Sequence, residues 1–106
     1  MTHFIQITTT TPTESTAQTI AHTLVERRLA ACAQIIGPLA STYWWQNQIE
    51  SAQEWLCVIK SRKNLYETVE QAILELHSYD TPEILAVPVT NGAARYLAWI
   101  DANLAE

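Results

Sequence analysis

The chain is short of glycine, cysteine and positive charge. Its 106 residues include 2 Gly and 2 Cys, and 6 Lys and Arg stand against 11 Asp and Glu. Each shortage excludes something. Cys32 and Cys57 cannot build a disulfide scaffold, and such sparse thiol usage points to a reducing, cytoplasmic home. A net charge of −5 repels phosphate backbones and argues against nucleic acid as a partner. No Gly-rich phosphate loop is present. No apolar run approaches the roughly 18 residues of a membrane span, so no membrane partner is expected. Met1-Thr2-His3-Phe4 has neither the basic nor the apolar region of a secretion signal. Apolar residues make up 48 % of the chain and charged ones 16 %, enough to fold and too little charge for disorder. One domain over residues 1–106 is expected, because a single core normally takes about 100–150 residues.

Phe4 to Thr10 is β-branched and short, and reads as a strand. A helix start follows, with Thr11 as N-cap, Pro12 as first helical residue and Glu14 closing a capping box. Ala17, Ile20, Ala21, Leu24, Val25 and Leu29 recur at helical spacing. Arg27 and Arg28 suit the negative pole of that helix. Cys32 to Ile36 reads as a second strand, broken at Gly37-Pro38 and resuming through Ser41 to Trp45. Gln46-Asn47-Gln48 is a polar turn. Glu54 to Lys60 returns as a third strand, which makes a long antiparallel hairpin. Asn64 caps a second helix with Glu67 as its partner, and Leu65, Val69, Ala72, Ile73 and Leu76 form its buried stripe. Pro82 bars continuation. Ile84 to Val89 is a fourth strand, and Asn91-Gly92 leads into a short C-terminal helix.

The order βαββαβ with an added helix predicts an α+β, ferredoxin-like sandwich with strand order 4-1-3-2. Proline tests that order, since it cannot donate to a ladder and belongs on edges or at bulges. Pro38 and Pro88 fall in strands two and four, the two edges.

Tyr43, Trp44 and Trp45 lie beside the hairpin turn, with Trp55 on the return arm. A tip this long overshoots the two helices, so some of these rings lack an intrachain partner. Long apolar edges invite pairing with another chain, and exposed aromatic patches mark interfaces. Burying three such rings contributes several kcal/mol, at roughly 25 cal/mol per Å2 and about 150–250 Å2 each. The chain is therefore expected to self-associate.

The chemistry-bearing residues are few. In the expected register Cys57 lies near Gly37 and Cys32 near Arg62, too far apart for a disulfide. His77 closes the second helix, followed by Tyr79, Asp80 and Glu83. One His with nearby carboxylates is not a closed metal site, because a transition metal takes three or four converging ligands. The alternative is a His that bonds the last carbonyls of its helix. Lys60 and Arg62 share one face of strand three, with Lys63 next, and either bind a small anion or neutralise local carboxylates. Tyr79 and Glu83 suit the rim of a cleft. No Ser-His-Asp, Cys-His or paired-carboxylate arrangement appears, so no enzyme activity is expected.

Several segments, in order, closely resemble the CutA divalent-cation tolerance family. They are Arg28-Leu29-Ala30-Ala31-Cys32-Ala33-Gln34-Ile35-Ile36, Ser41-Thr42-Tyr43-Trp44-Trp45, Val58-Ile59-Lys60-Ser61-Arg62, His77-Ser78-Tyr79-Asp80-Thr81-Pro82-Glu83-Ile84, Val87-Pro88-Val89 and Tyr96-Leu97-Ala98-Trp99-Ile100. The likeness runs from about Thr8 to Leu104. It implies a non-enzymatic, ferredoxin-like protomer in a tight homotrimer similar to the PII signalling proteins, with edge strands paired between subunits. It also implies a link to divalent-ion tolerance, with Cu2+ bound in some members. Copper-binding members offer a Cys on strand one and a second His beside His77, and those positions here hold Thr9 and Leu76. The family's Pro-Gly after strand two is Gly37-Pro38, its Trp-Glu-Gly-Lys tip is Trp45-Gln46-Asn47-Gln48, and its His-Pro-Tyr is His77-Ser78-Tyr79. The resulting expectation is an ion or small ligand in clefts between subunits, with Tyr43, Trp45, Lys60, Arg62, Tyr79 and Glu83 as lining candidates and His77 as the metal candidate. The alternative is a PII-like small-molecule sensor, with an anion held by Lys60 and Arg62 and metals irrelevant.

Overall fold

The computed structural model describes residues 3–106. Alternation of small or branched side chains makes Phe4–Thr11 a strand, β1, that buries Ile5, Ile7, Thr9 and Thr11 on one face. Thr11 stays in the ladder opposite Trp55, and its hydroxyl donates to the Thr13 carbonyl at 2.7 Å. The helix cap therefore moves two residues on from the sequence expectation. Thr13 Oγ1 accepts from the Thr16 N–H at 3.1 Å, and α1 runs Glu14–Glu26. Ala17, Ile20 and Leu24 face the core. Val25, expected in the stripe, is exposed. Arg28 takes a left-handed φ of 61°, and the Leu29 and Ala30 N–H groups both bond to the Leu24 carbonyl.

Cys32–Trp45 forms β2 and Gln48–Arg62 forms β3, joined at Gln46-Asn47. The strand order is β2-β3-β1-β4, as the prolines required. Pro38 sits in a register shift between Ile36 and Leu39, on an edge strand, after a cis Gly37–Pro38 bond. The register differs from expectation. A two-residue turn pairs Trp45 with Gln48, and the bulge adds one more step. Cys57 thus faces Ile35 rather than Gly37, and Cys32 faces Lys60 rather than Arg62. Both thiols are free.

Asn64 does not cap the second helix. Its Oδ1 accepts from Arg62 Nε at 3.3 Å, and a 3-10 turn, Lys63–Leu65, comes first. The helix α2 follows at Tyr66–Leu76 without a side-chain cap and buries Val69, Ala72 and Ile73. The fourth strand, β4, is Ile84–Pro88, and α3 is Ala94–Ala102. Ile5, Ile7, Cys57 and Ile59 meet Ile20, Leu24, Val69 and Ile73 in one core, with Ile100 and Leu104 at its margin. Gln34, Ile36, Leu56, Val58, Lys60, Leu85 and Val87 alternate onto the other face. There Ile36, Leu85 and Val87 stand exposed. The molecule measures 44 × 25 × 22 Å. No helix among the described residues is long and apolar enough to cross a membrane.

Candidate functional site

The chain leaving α2 must cross the end of β1 to reach β4, and the side chains of that crossing are fastened. His77 Nδ1 accepts from the Tyr79 N–H at 3.1 Å. Nδ1 is therefore unprotonated, and Nε2–H is the donor to the Thr10 carbonyl at 2.7 Å. Both ring nitrogens are engaged. The rings of His77 and Tyr79 lie 5.0 Å apart. From this position the Tyr79 hydroxyl donates to Glu54 Oε2 at 3.0 Å. Burial, the bond to Glu54 and the charges of Glu54 and Tyr43 push the phenol up to about 12, so it stays protonated and donates.

Glu54 has only 7 % of its surface exposed. No cation pairs with it among the described residues, where the ion pairs are His22–Glu26 and Arg62–Asp101. Its sequence signal is its place as a polar residue in the return arm; the structure pairs it with Leu39, just past the bulge at Gly37-Pro38. The sequence expectation used it only as a strand start. Farther along the ribbon an open groove of about 410 Å3 is lined by Pro38, Leu39, Ala40, Ser51, Ala52 and Gln53, without Glu54.

The candidate residues do not share one place. His77 and Tyr79 gather at Glu54, and Tyr43 lies farther out on the ribbon, opposite Glu50. Trp45 stands at the hairpin tip and Glu83 before β4, both exposed. Lys60 lies six residues along β3 from Glu54, about 20 Å away at strand rise. Lys60 Nζ donates to Gln34 at 2.6 Å. Arg62 donates to Asp101 at 2.5 Å and to the Ala105 carbonyl, so it ties α3 to the sheet. These two cations are engaged within the chain and share no cleft with Tyr79. At their end of the sheet Tyr96 stacks on Trp99, with centroids 5.7 Å apart, and its hydroxyl is raised by burial and then by Cys32. No group of three or more His, Cys, Asp or Glu converges among the described residues. The enclosed polar atoms without a partner there are Thr9 Oγ1 and Trp55 Nε1.

Fold and site define a class: a split βαβ sandwich of the ferredoxin-like kind, with an overlong β2–β3 ribbon and a polar aromatic cluster at its root. The family comparison agrees. Residues 5–103 match the family model described as CutA1 divalent ion tolerance protein. A curated relative from Archaeoglobus fulgidus, named divalent-cation tolerance protein CutA, is 40 % identical over 98 % of this chain and 99 % of its own. An Arabidopsis thaliana relative, named Protein CutA, chloroplastic, is 34 % identical over 91 % of this chain and 53 % of its own. The crystal structure of CutA1 from Oryza sativa superposes with a TM-score of 0.96 at 30 % identity, covering 98 % of this chain and 95 % of that one. The chain belongs to the CutA divalent-cation tolerance family.

Proposed function

We propose that this chain works as a homotrimer without catalytic activity of its own, in divalent-cation tolerance, binding an ion or small ligand where subunits meet. The carrying observation is the placement of exposed apolar side chains. Trp44 is 72 % exposed, Ile49 66 % and Leu85 61 %, with Ile36, Tyr43, Trp45 and Val87 also uncovered. Apart from Ile49 beside the turn, these most exposed strand residues lie on β2 and β4, the two edges of the sheet; the other large exposed apolar side chains, Val25, Leu74, Tyr96 and Trp99, lie on the helices. Two unlike apolar edges on one chain favour head-to-tail association, which closes into a ring when the rotation allows. The second copy is the occupant that presents both edges at once.

The ligand position follows from the root of the ribbon, where Glu54 and Tyr79 meet beside edge strand β2. A metal ion held by His77 displaces either the Thr10 carbonyl or the Tyr79 N–H, so coordination there is linked to the crossing loop. Three equivalent seams then report occupancy to a partner. Two free thiols and the lack of a membrane helix among the described residues are consistent with the cytoplasm.

Sedimentation velocity tests the assembly. The expected species holds three 11.9 kDa chains, and a single 11.9 kDa particle at working concentration overturns the proposal. Titration with Cu2+ and Zn2+, against His77→Ala, tests the metal. Equal affinity in both proteins removes His77 from the site.

A further inference from the structure

A carboxylate that is more than nine-tenths buried normally faces a cation, because losing hydration costs several kcal/mol unless it is repaid by pairing. Glu54 has no such partner among the described residues. One oxygen, Oε2, is held by the Tyr79 hydroxyl. The other, Oε1, has no hydrogen bond there, yet it is not one of the fully enclosed orphan atoms, which are Thr9 Oγ1 and Trp55 Nε1. It therefore opens to the surface. The result is a single carboxylate oxygen facing outward from an otherwise buried side chain, beside the Tyr79 hydroxyl.

The missing partner must donate hydrogen bonds and carry positive charge. A transition metal is poorly served. Among the neighbours His77 has both nitrogens engaged, the Tyr79 phenol is a donor rather than a ligand, and one carboxylate oxygen remains. An anion is repelled. An ammonium group suits both features: it donates to Oε1, and its charge offsets the buried carboxylate. We propose that Glu54 Oε1 is the binding site for the primary ammonium group of a small organic amine, with Tyr79 fixing the carboxylate through its other oxygen. This deepens the seam-ligand reading above and rests on it for the role of the site. Both residues belong to one chain.

Ligand-observed NMR with n-butylammonium, n-butanol and butyrate as probes tests the assignment. The three share a chain length and differ in head group. Butylammonium is expected to bind at least about ten-fold tighter than butanol, the scale of one charge-assisted hydrogen bond, with butyrate weakest. Glu54→Gln, which keeps the shape and removes the charge, is expected to abolish that preference. Equal binding of butylammonium and butanol by the wild type overturns the proposal, and that comparison does not depend on the variant folding. Tighter binding of Zn2+ or Cu2+ that is lost in Glu54→Gln also overturns it, in favour of a metal. Sedimentation of the same samples separates the two readings. A trimer with no ammonium preference removes the amine alone, and a monomer that keeps the preference removes the trimer alone.

Discussion

Gly37 backs directly onto the indole of Trp55. A side chain built there would place its Cβ 2.5 Å from Trp55 Cδ1 and 2.8 Å from Cγ. The contact is with the rigid ring, which cannot swing aside as a flexible chain end does. Gly37→Ala is expected to destabilise by about 1–3 kcal/mol, the usual scale of overpacking. Urea unfolding of the two proteins checks this, and an unchanged midpoint contradicts it.

His77 joins β1 to the crossing loop through both nitrogens. His77→Ala leaves the Thr10 carbonyl and the Tyr79 N–H without these partners. A loss of about 1–3 kcal/mol is expected, with Tyr79 released from Glu54. The ultraviolet titration of the phenol reads the release directly, since Tyr79 then ionises nearer to the ordinary value of 10.0 than to about 12.

Cys57 is fully enclosed, and burial pushes its thiol from 9.0 up to about 11. The folded state thus keeps its proton where the unfolded chain releases it. Stability from this group is complete below pH 9.0 and is lost as pH rises toward 11. The expected fall is about 2–3 kcal/mol. Denaturant unfolding from pH 8 to 11 should show a shallower decline in Cys57→Ala than in wild type. In the native protein an alkylating reagent should reach half-buried Cys32 and spare Cys57.

The hairpin turn carries Gln46 at φ 50° and Asn47 at φ 64°. Two positive values in a two-residue loop define a type I′ turn, which suits Asn followed by Gly. Gln is poorly matched to the left-handed region. Gln46→Asn and Asn47→Gly are each expected to stabilise by about 0.5–1 kcal/mol by relieving left-handed strain, and a shifted thermal midpoint measures it.

The strand order was readable because the βαββαβ pattern implies it and Pro38 and Pro88 fit its two edges, and the helical faces because apolar spacing is local. Register was not. It depends on a two-residue turn and on a bulge at Gly37-Pro38, where the Trp55 ring from another strand lies against Gly37. The caps at Thr11 and Asn64 misled for a related reason, since each polar side chain is drawn to a neighbour nearer than the helix, Thr13 and Arg62. Of the site, His77 and Tyr79 were visible as unusual residues near turns. Glu54 was hidden, because a glutamate in a strand looks like any solvated charge until Tyr79 is folded over it. Lys60 and Arg62 suggested a basic pocket, but Gln34 and Asp101 lie far from them in sequence and close in space.

The β2–β3 ribbon carries the protein's 44 Å length past its helices. A free two-stranded hairpin is only marginally stable in water, and among the described residues the outer half is held shut mainly by its own ladder. Its amides become a gauge of company. In a solitary copy the protons from Thr42 to Ser51 should trade with deuterated solvent almost as fast as in a peptide, and docking on a neighbour should slow them by orders of magnitude. Dilution followed by mass-resolved exchange would then report subunit separation at the level of individual peptides.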